Sequence, residues 1–304
     1  MVGDPGIRRL ALRTVLGVFH GAAPPESVRR LVDDGLAGFT LFAHNIVDRE
    51  ELPRLIGSLR AQRRDLLIAV DEEGGDVTRL AHATGSPYPG NATLGVVDNP
   101  TLTRRIYRAI GAELAAAGFN LNLAPTVDVN TAGNDGVIGT RSFGANPALV
   151  AAHAAAAVVG LQEAKVAACA KHFPGHGATR DDSHLGLPTV DEPLSVLRTR
   201  DFPPFAAAIG VGVKAVMTAH IRVPELTGAD PATFSRAATG LPRAEYGFDG
   251  VMITDALEMA GAAATAGGVG AAAVRALAAG ADLLCFGGEV DPELVESVVA
   301  EIAA

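Results

Sequence analysis

Eight short apolar runs recur along the chain, at Val15 to Phe19, Gly38 to Phe42, Leu66 to Val70, Leu121 to Ala124, Val166 to Ala170, Ala215 to Thr218, Val251 to Thr254 and Asp282 to Phe286. Within each run apolar residues follow one another instead of alternating with polar ones, the pattern of strands covered on both faces in a parallel sheet. Helix-like segments separate them, at Asp48 to Gln62, Leu102 to Ala117, Pro147 to Ala164, Leu194 to Ile209 and Ala256 to Ala279. Strands alternating with helices predict an α/β chain, and eight such units predict closure into a single (β/α)8 barrel of the TIM type. With 304 residues, 48% of them hydrophobic, the chain has the size of one such domain. No internal repeat, low-complexity tail or linker divides it, so residues 1–304 are expected to form one barrel domain without a second.

Composition excludes several classes of function. A net charge of -9 argues against a nucleic-acid partner, whose phosphates call for a basic surface. Arg8 and Arg9 before the run Leu10 to Ala23 imitate a signal peptide poorly, because Arg13 and His20 interrupt the apolar stretch. No window offers the ~20 consecutive apolar residues of a membrane span. Cys169 and Cys285 are the two cysteines, each inside an apolar run, and read as buried thiols of a reducing compartment. The expectation is a soluble cytoplasmic monomer with no membrane partner.

The polar residues that stand out gather at or just beyond the ends of the predicted strands: His44, Asp71, Asp128, Lys171, His172, His220 and Asp255. Barrel enzymes carry their chemistry on that rim. The densest group is Lys171-His172-Phe173-Pro174-Gly175-His176-Gly177-Ala178-Thr179-Arg180-Asp181-Asp182-Ser183-His184, with three histidines and a lysine in fourteen residues. Lysine and histidine at a strand end can hydrogen-bond sugar hydroxyls, and Asp182 stands two residues from His184, where it can orient the ring.

Lys171 to Gly177 followed by Asp182-Ser183-His184 resembles the signature of the β-N-acetylglucosaminidase (β-N-acetylhexosaminidase) branch of glycoside hydrolase family 3. Asp71-Glu72-Glu73-Gly74-Gly75 with Val77 and Arg79, then Ile138-Gly139 with Arg141-Ser142-Phe143-Gly144, resemble two earlier motifs of that family. Met217-Thr218-Ala219-His220 and Phe248-Asp249-Gly250-Val251 through Thr254-Asp255 continue the series in order. The resemblance implies a retaining exo-hydrolase with Asp255 as nucleophile, His184 as general acid/base and Asp182 as its partner. It also implies a sugar-binding set of Asp71, Arg79, Arg141, Lys171 and His172, with His220 a further candidate, and substrates that are muropeptide disaccharides or small chitin fragments. No cofactor is implied. A retaining glycosidase needs one ionised carboxylate and one proton donor that later acts as base, and imidazole can fill the second role near neutral pH.

Other readings stand beside this one. A histidine acid/base repels phosphate less than a carboxylate does, so phosphorolysis is an alternative to hydrolysis, and a plain β-glucosidase is another. A sugar-binding barrel without catalysis is a third. His172, His176, Asp182 and His184 are residue types that zinc accepts, but Pro174, Gly175 and Gly177 oppose the helix that would present a His-x-x-x-His pair to one metal, and no metal site is expected. Asp71 has a second reading as a turn cap, Asp255 as a helix cap, and Arg79 and Arg141 as ion-pair partners near the surface or structural supports for Asp71. His176 reads as shaping its loop, which Gly175, Gly177 and Gly186 would leave mobile. His44, Asp128 and Asn130 read as supports behind the site; His20, His82 and His153 as structural. Ala256 stands where many relatives carry a second acidic residue beside the nucleophile.

Overall fold

The computed structural model describes residues 4–288 and 290–304. The eight strands are β1 Leu16–Gly17, β2 Gly38–Thr40, β3 Leu67–Val70, β4 Leu121–Asn122, β5 Ala167–Phe173, β6 Ala215–Thr218, β7 Val251–Ala256 and β8 Leu283–Cys285. They pair in chain order, every neighbour parallel. Val15 bridges Leu284 in parallel, and the Leu284 N–H donates to the Thr14 carbonyl at 2.8 Å, so the last strand meets the first. The sheet is a barrel with helices around it, and each strand falls within the apolar run expected for it or overlaps it.

The pleat sorts residues by parity. Ala69, Leu121, Leu123, Cys169, Ala215, Met217, Ile253, Leu283 and Cys285 point inward and form the barrel's inner core. Their neighbours Ile68, Val70, Ala168, Ala170, Val216, Met252 and Leu284 point outward into the larger core shared with the helices. Because strand side chains alternate with period 2, inward positions recur two residues on. Asp71 follows Ala69, Lys171 follows Cys169 and Asp255 follows Ile253. The same pleat that packs the barrel therefore turns these three polar side chains over its mouth.

Helix boundaries depart from the expectation where local chemistry breaks the period. The segment Ala256 to Ala279 is two helices, Ala260–Ala266 and Val269–Ala279, bent by 94°. Gly267 and Gly268, at φ +84° and +143°, take the turn that other residues resist. The segment Leu194 to Ile209 likewise divides into Leu194–Arg200 and Phe202–Gly210, with Pro203 in the first turn of the second. The helix expected from Asp48 starts at Leu52. A closing helix, Pro292–Ile302, follows β8 and starts on an Asp291 side chain that accepts from the Glu293 N–H. No single helix among the described residues is long and apolar enough to cross a membrane.

The outer layer is tightest where Pro100–Ala117 packs on Pro147–Glu163. A Cβ on Gly160 would fall inside contact distance of the Arg104 carbonyl oxygen, and one on Gly111 would lie 2.8 Å from the Ala164 Cβ. His153, fully buried in this layer, bonds Thr103 at 2.8 Å, in keeping with a structural role. Gly160→Val is expected to lower unfolding free energy by about 1–3 kcal/mol through overpacking. A drop in the urea midpoint at unchanged far-UV circular dichroism is the measurement that checks it.

Candidate active site

A cavity of about 360 Å³ opens at the C-terminal ends of the strands, lined by Asp71, Glu73, Arg79, Arg141, Lys171, His172, His184 and Asp255, with Phe42, Met217 and Met259 among its apolar walls. Residues as far apart in sequence as Thr40 and Gly288 thus share one pocket. The barrel supplies the convergence, because each strand delivers its last inward residue to the same rim.

A buried ion network forms one side. The Lys171 ammonium lies 2.7 Å from Asp71 and 2.8 Å from Glu73. Arg141 meets Glu73 through two nitrogens, at 2.7 and 3.1 Å, and the Thr126 hydroxyl donates to Glu73 at 3.0 Å. Burial pushes the Glu73 carboxyl up, but Arg141 and Lys171 outweigh it and hold the group well below its usual range. Lys171 stays charged for the converse reason: burial opposes its charge, and Asp71 and Glu73 more than restore it. Arg79 stands 4.0 Å from Asp71. Asp71 thus pairs with Lys171 and Arg79 across the cavity, and Gly74 and Gly75, both at positive φ, make the turn after it.

His172 is held from behind. Asp128 is fully buried; its Oδ2 lies 2.7 Å from His172 Nδ1, and its Oδ1 accepts the His176 N–H at 2.6 Å. Burial pushes the Asp128 carboxyl up, yet His172 and His176 together bring it below its usual range. A carboxylate acceptor places the proton on Nδ1, leaving Nε2 as acceptor 3.4 Å from Arg141. The turn Phe173 to Gly177 is buried. Gly175 and Gly177 serve close packing: a Cβ on Gly175 would lie 2.6 Å from Asp201, and one on Gly177 would overlap the Val129 carbonyl. The exposed residues of this segment come later, at Arg180, Asp181, His184 and Leu185.

Asp255 is the next-to-last residue of β7, and its Oδ1 accepts the Ala256 N–H at 2.8 Å. Burial drives this carboxyl up, and His172, His220, the Ala256 N–H and Lys171 together bring it below its usual range, so it is ionised at neutral pH. Across the cavity mouth His184 Nδ1 lies 2.7 Å from Asp182, and the His184 side chain is 69% exposed. That pairing leaves Nε2 as the nitrogen available for proton transfer. His220 departs from the role expected of it. Its Nδ1 meets Thr233 at 2.8 Å and its Nε2 meets the Ala256 carbonyl at 2.9 Å, so both nitrogens are spent on protein and the ring props the exit of β7 from behind.

The sequence model of the glycosyl hydrolase family 3 N-terminal domain matches residues 12–301. The chain belongs to glycosyl hydrolase family 3. Among relatives in this family, β-hexosaminidase A of Pseudoalteromonas piscicida is 37% identical over 78% of this chain and 44% of its own length. A β-hexosaminidase of Neisseria meningitidis serogroup B is 37% identical over 90% of this chain and 76% of its own length. A solved family 3 β-N-acetylglucosaminidase from a Paenibacillus species superposes with a TM-score of 0.92 at 38% identity, covering 97% of this chain and 57% of the other. The chain therefore spans less than half of the first relative and under two thirds of the solved one.

Two residues of this family 3 site escaped the motif reading. Glu73 was visible only as one letter of Asp71-Glu72-Glu73, although Lys171 and Arg141 together call for more negative charge than Asp71 alone supplies. Glu258, on the cavity wall, carried no sequence signal beyond its distance of three from Asp255. Glu72 turns away from the pocket, its carboxylate accepting the Arg79 and Leu80 N–H groups at 2.8 and 3.0 Å.

The depressed pKa values of Glu73 and Asp128 set an acid limit. Both titrate near their ordinary ~4 when unfolded. Their stabilisation is therefore complete above that pH and is lost as pH falls toward their lower folded values. Removing the Glu73 charge takes from Arg141 its carboxylate partner and leaves Lys171 with Asp71 alone, so Glu73→Gln is expected to cost about 3–5 kcal/mol at pH 7. It is also expected to flatten the fall of the urea midpoint below about pH 4.5 relative to the parent; parallel acid limbs count against this assignment.

Proposed function

We propose that the chain is a retaining exo-β-N-acetylglucosaminidase. The observation that carries this reading is the convergence on one cavity of an ionised inward carboxylate, Asp255, a carboxylate-supported histidine, His184, and a preformed polar clamp of Asp71, Arg79, Arg141, Lys171 and His172. The names of the relatives, β-hexosaminidase and β-N-acetylglucosaminidase, support the substrate class.

In the first step an Asp255 oxygen bonds to the anomeric carbon while the bond to the leaving oxygen breaks, and His184 Nε2 gives that oxygen its proton. In the second, water attacks the same carbon, its proton passes to His184, and the bond to Asp255 breaks. Asp182 fixes the ring through Nδ1 and stabilises the charged imidazole. The clamp contributes charged hydrogen bonds to the sugar hydroxyls, which are stronger than neutral ones. Muropeptide disaccharides or small chitin fragments, met in the cytoplasm, are the natural substrates on this reading. Because a histidine repels phosphate less than a carboxylate does, sugar 1-phosphate is the alternative product.

Asp255→Ala is expected to lower kcat/KM on an aryl N-acetyl-β-glucosaminide by more than ~10³-fold. His184→Ala is expected to lose about 10²–10⁴-fold on a disaccharide, with a smaller loss on a nitrophenyl glycoside whose leaving group needs no proton. Full activity in either variant removes that residue from the mechanism. Free N-acetylglucosamine released at one rate in phosphate and in phosphate-free buffer supports hydrolysis; sugar 1-phosphate in phosphate buffer overturns it.

A further inference from the structure

One carboxyl group in the cavity wall has no part in the mechanism above. Glu258 lies three residues beyond Asp255, and its Oε1 accepts the Gly287 N–H at 2.8 Å. A Cβ on Gly287 would lie 2.1 Å from Oε1, so a larger residue there would displace the carboxyl from its present position. Its other oxygen, Oε2, is shielded from solvent and finds no donor among the described residues. Leaving an acceptor unpaired in such a place is costly. Burial, the largest cause, raises the Glu258 pKa; Asp255 adds to the rise, and His184 opposes it, which locates the carboxyl within electrostatic reach of both.

Substrate chemistry narrows what could meet it. With Asp255 bonding to the anomeric carbon, the atoms attached to that carbon are the ring oxygen, the leaving oxygen and the neighbouring ring carbon. Neither oxygen carries a hydrogen once the glycoside is formed. The substituent on the neighbouring carbon, an amide N–H in an N-acetylhexosaminide or a hydroxyl in a glucoside, is the hydrogen-bond donor closest to the reacting centre. Ala256 and Met259, neighbours of Glu258 in sequence, also line the pocket with apolar groups suited to an acetamido methyl.

We propose that Glu258 is a specificity-determining residue, its carboxyl accepting the hydrogen bond of the substituent at carbon 2 of the bound sugar. The proposal rests on the reading of Asp255 as nucleophile. It assigns to the β7–β8 wall the recognition of one substituent, while the Asp71, Glu73 and Lys171 wall holds the rest of the ring.

The experiment compares three nitrophenyl glycosides that differ at carbon 2, with acetamido, hydroxyl or hydrogen there, on the parent chain, Glu258→Ala and Glu258→Gln. Glu258→Ala is expected to lower kcat/KM on the acetamido substrate by about ten- to hundredfold, the worth of a hydrogen bond to a charged group, and on the 2-deoxy substrate by no more than about twofold. Glu258→Gln keeps an acceptor oxygen and is expected to recover part of the loss. A loss on the hydroxyl substrate equal to that on the acetamido one assigns Glu258 to either donor; a loss confined to the acetamido substrate assigns it to the amide. Equal losses on all three substrates, or none on any, overturn the proposal. Asp255→Ala in the same assays separates the two readings: if it stays active, the nucleophile assignment fails, whereas an inactive Asp255→Ala beside a substrate-blind Glu258→Ala sinks the present proposal alone.

Discussion

The Glu73 carboxylate is the point on which the site depends. It is buried, and it receives Lys171, both arms of Arg141 and the Thr126 hydroxyl. These three partners come from the segment after β4, from β5 and from the turn that carries Arg141, so one carboxylate ties together segments that share no local sequence. A charge removed from water is tolerated only when each of its oxygens is paired, and the geometry here pairs them. For the proposed function the consequence is preorganisation: Lys171 and Arg141, two cations of the proposed sugar clamp, are held in the cavity lining by protein partners.

The two halves of the proposed chemistry are built differently. Lys171, His172 and the Asp128 behind them are buried, with side-chain exposures of 6% or less. His184 and Asp182 lie on an exposed stretch, 69% and 40% accessible. This division matches the tasks. Groups that read the shape of a sugar work best when rigid and dry, whereas a group that trades a proton with solvent or with an incoming water gains from being wet. The buried thiols of Cys169 and Cys285 fall outside both halves; burial pushes Cys169 up to about 12, so it stays a neutral filler of the barrel interior.

Much of the fold was legible because parallel strands leave unbroken apolar runs, and all eight were visible as such. Boundaries were less so. The breaks at Gly267-Gly268 and before Pro203 fall inside stretches that otherwise read as helix: two glycines at positive φ take the first turn, and a proline opens the helix after the second. In the site, most residues singled out by a motif line the cavity, whereas Glu73, inside one motif, and Glu258, outside any, were passed over. Glu258 is hidden because a glutamate after a strand is ordinarily a solvated one; only the Gly287 backbone, 29 residues later, shows that it is not. His220 erred in the other direction, standing at a strand end in a family motif yet turned outward by the pleat into a bond with Thr233.

The amino-acid sequence by itself determined the strand and helix alternation, the family and the identity of the ionisable groups available, because hydrophobic period and motif spacing are properties of neighbouring residues. Which carboxylate is spent on holding the site and which is left to act was decided by the tertiary structure. Asp71, Glu73, Asp128, Asp255 and Glu258 are chemically alike along the chain. Their differing states come from what the barrel sets against each of them: two cations for Glu73, a histidine and a backbone N–H for Asp128, a strand end over an open cavity for Asp255, and for Glu258 a single N–H and an oxygen without a protein donor among the described residues.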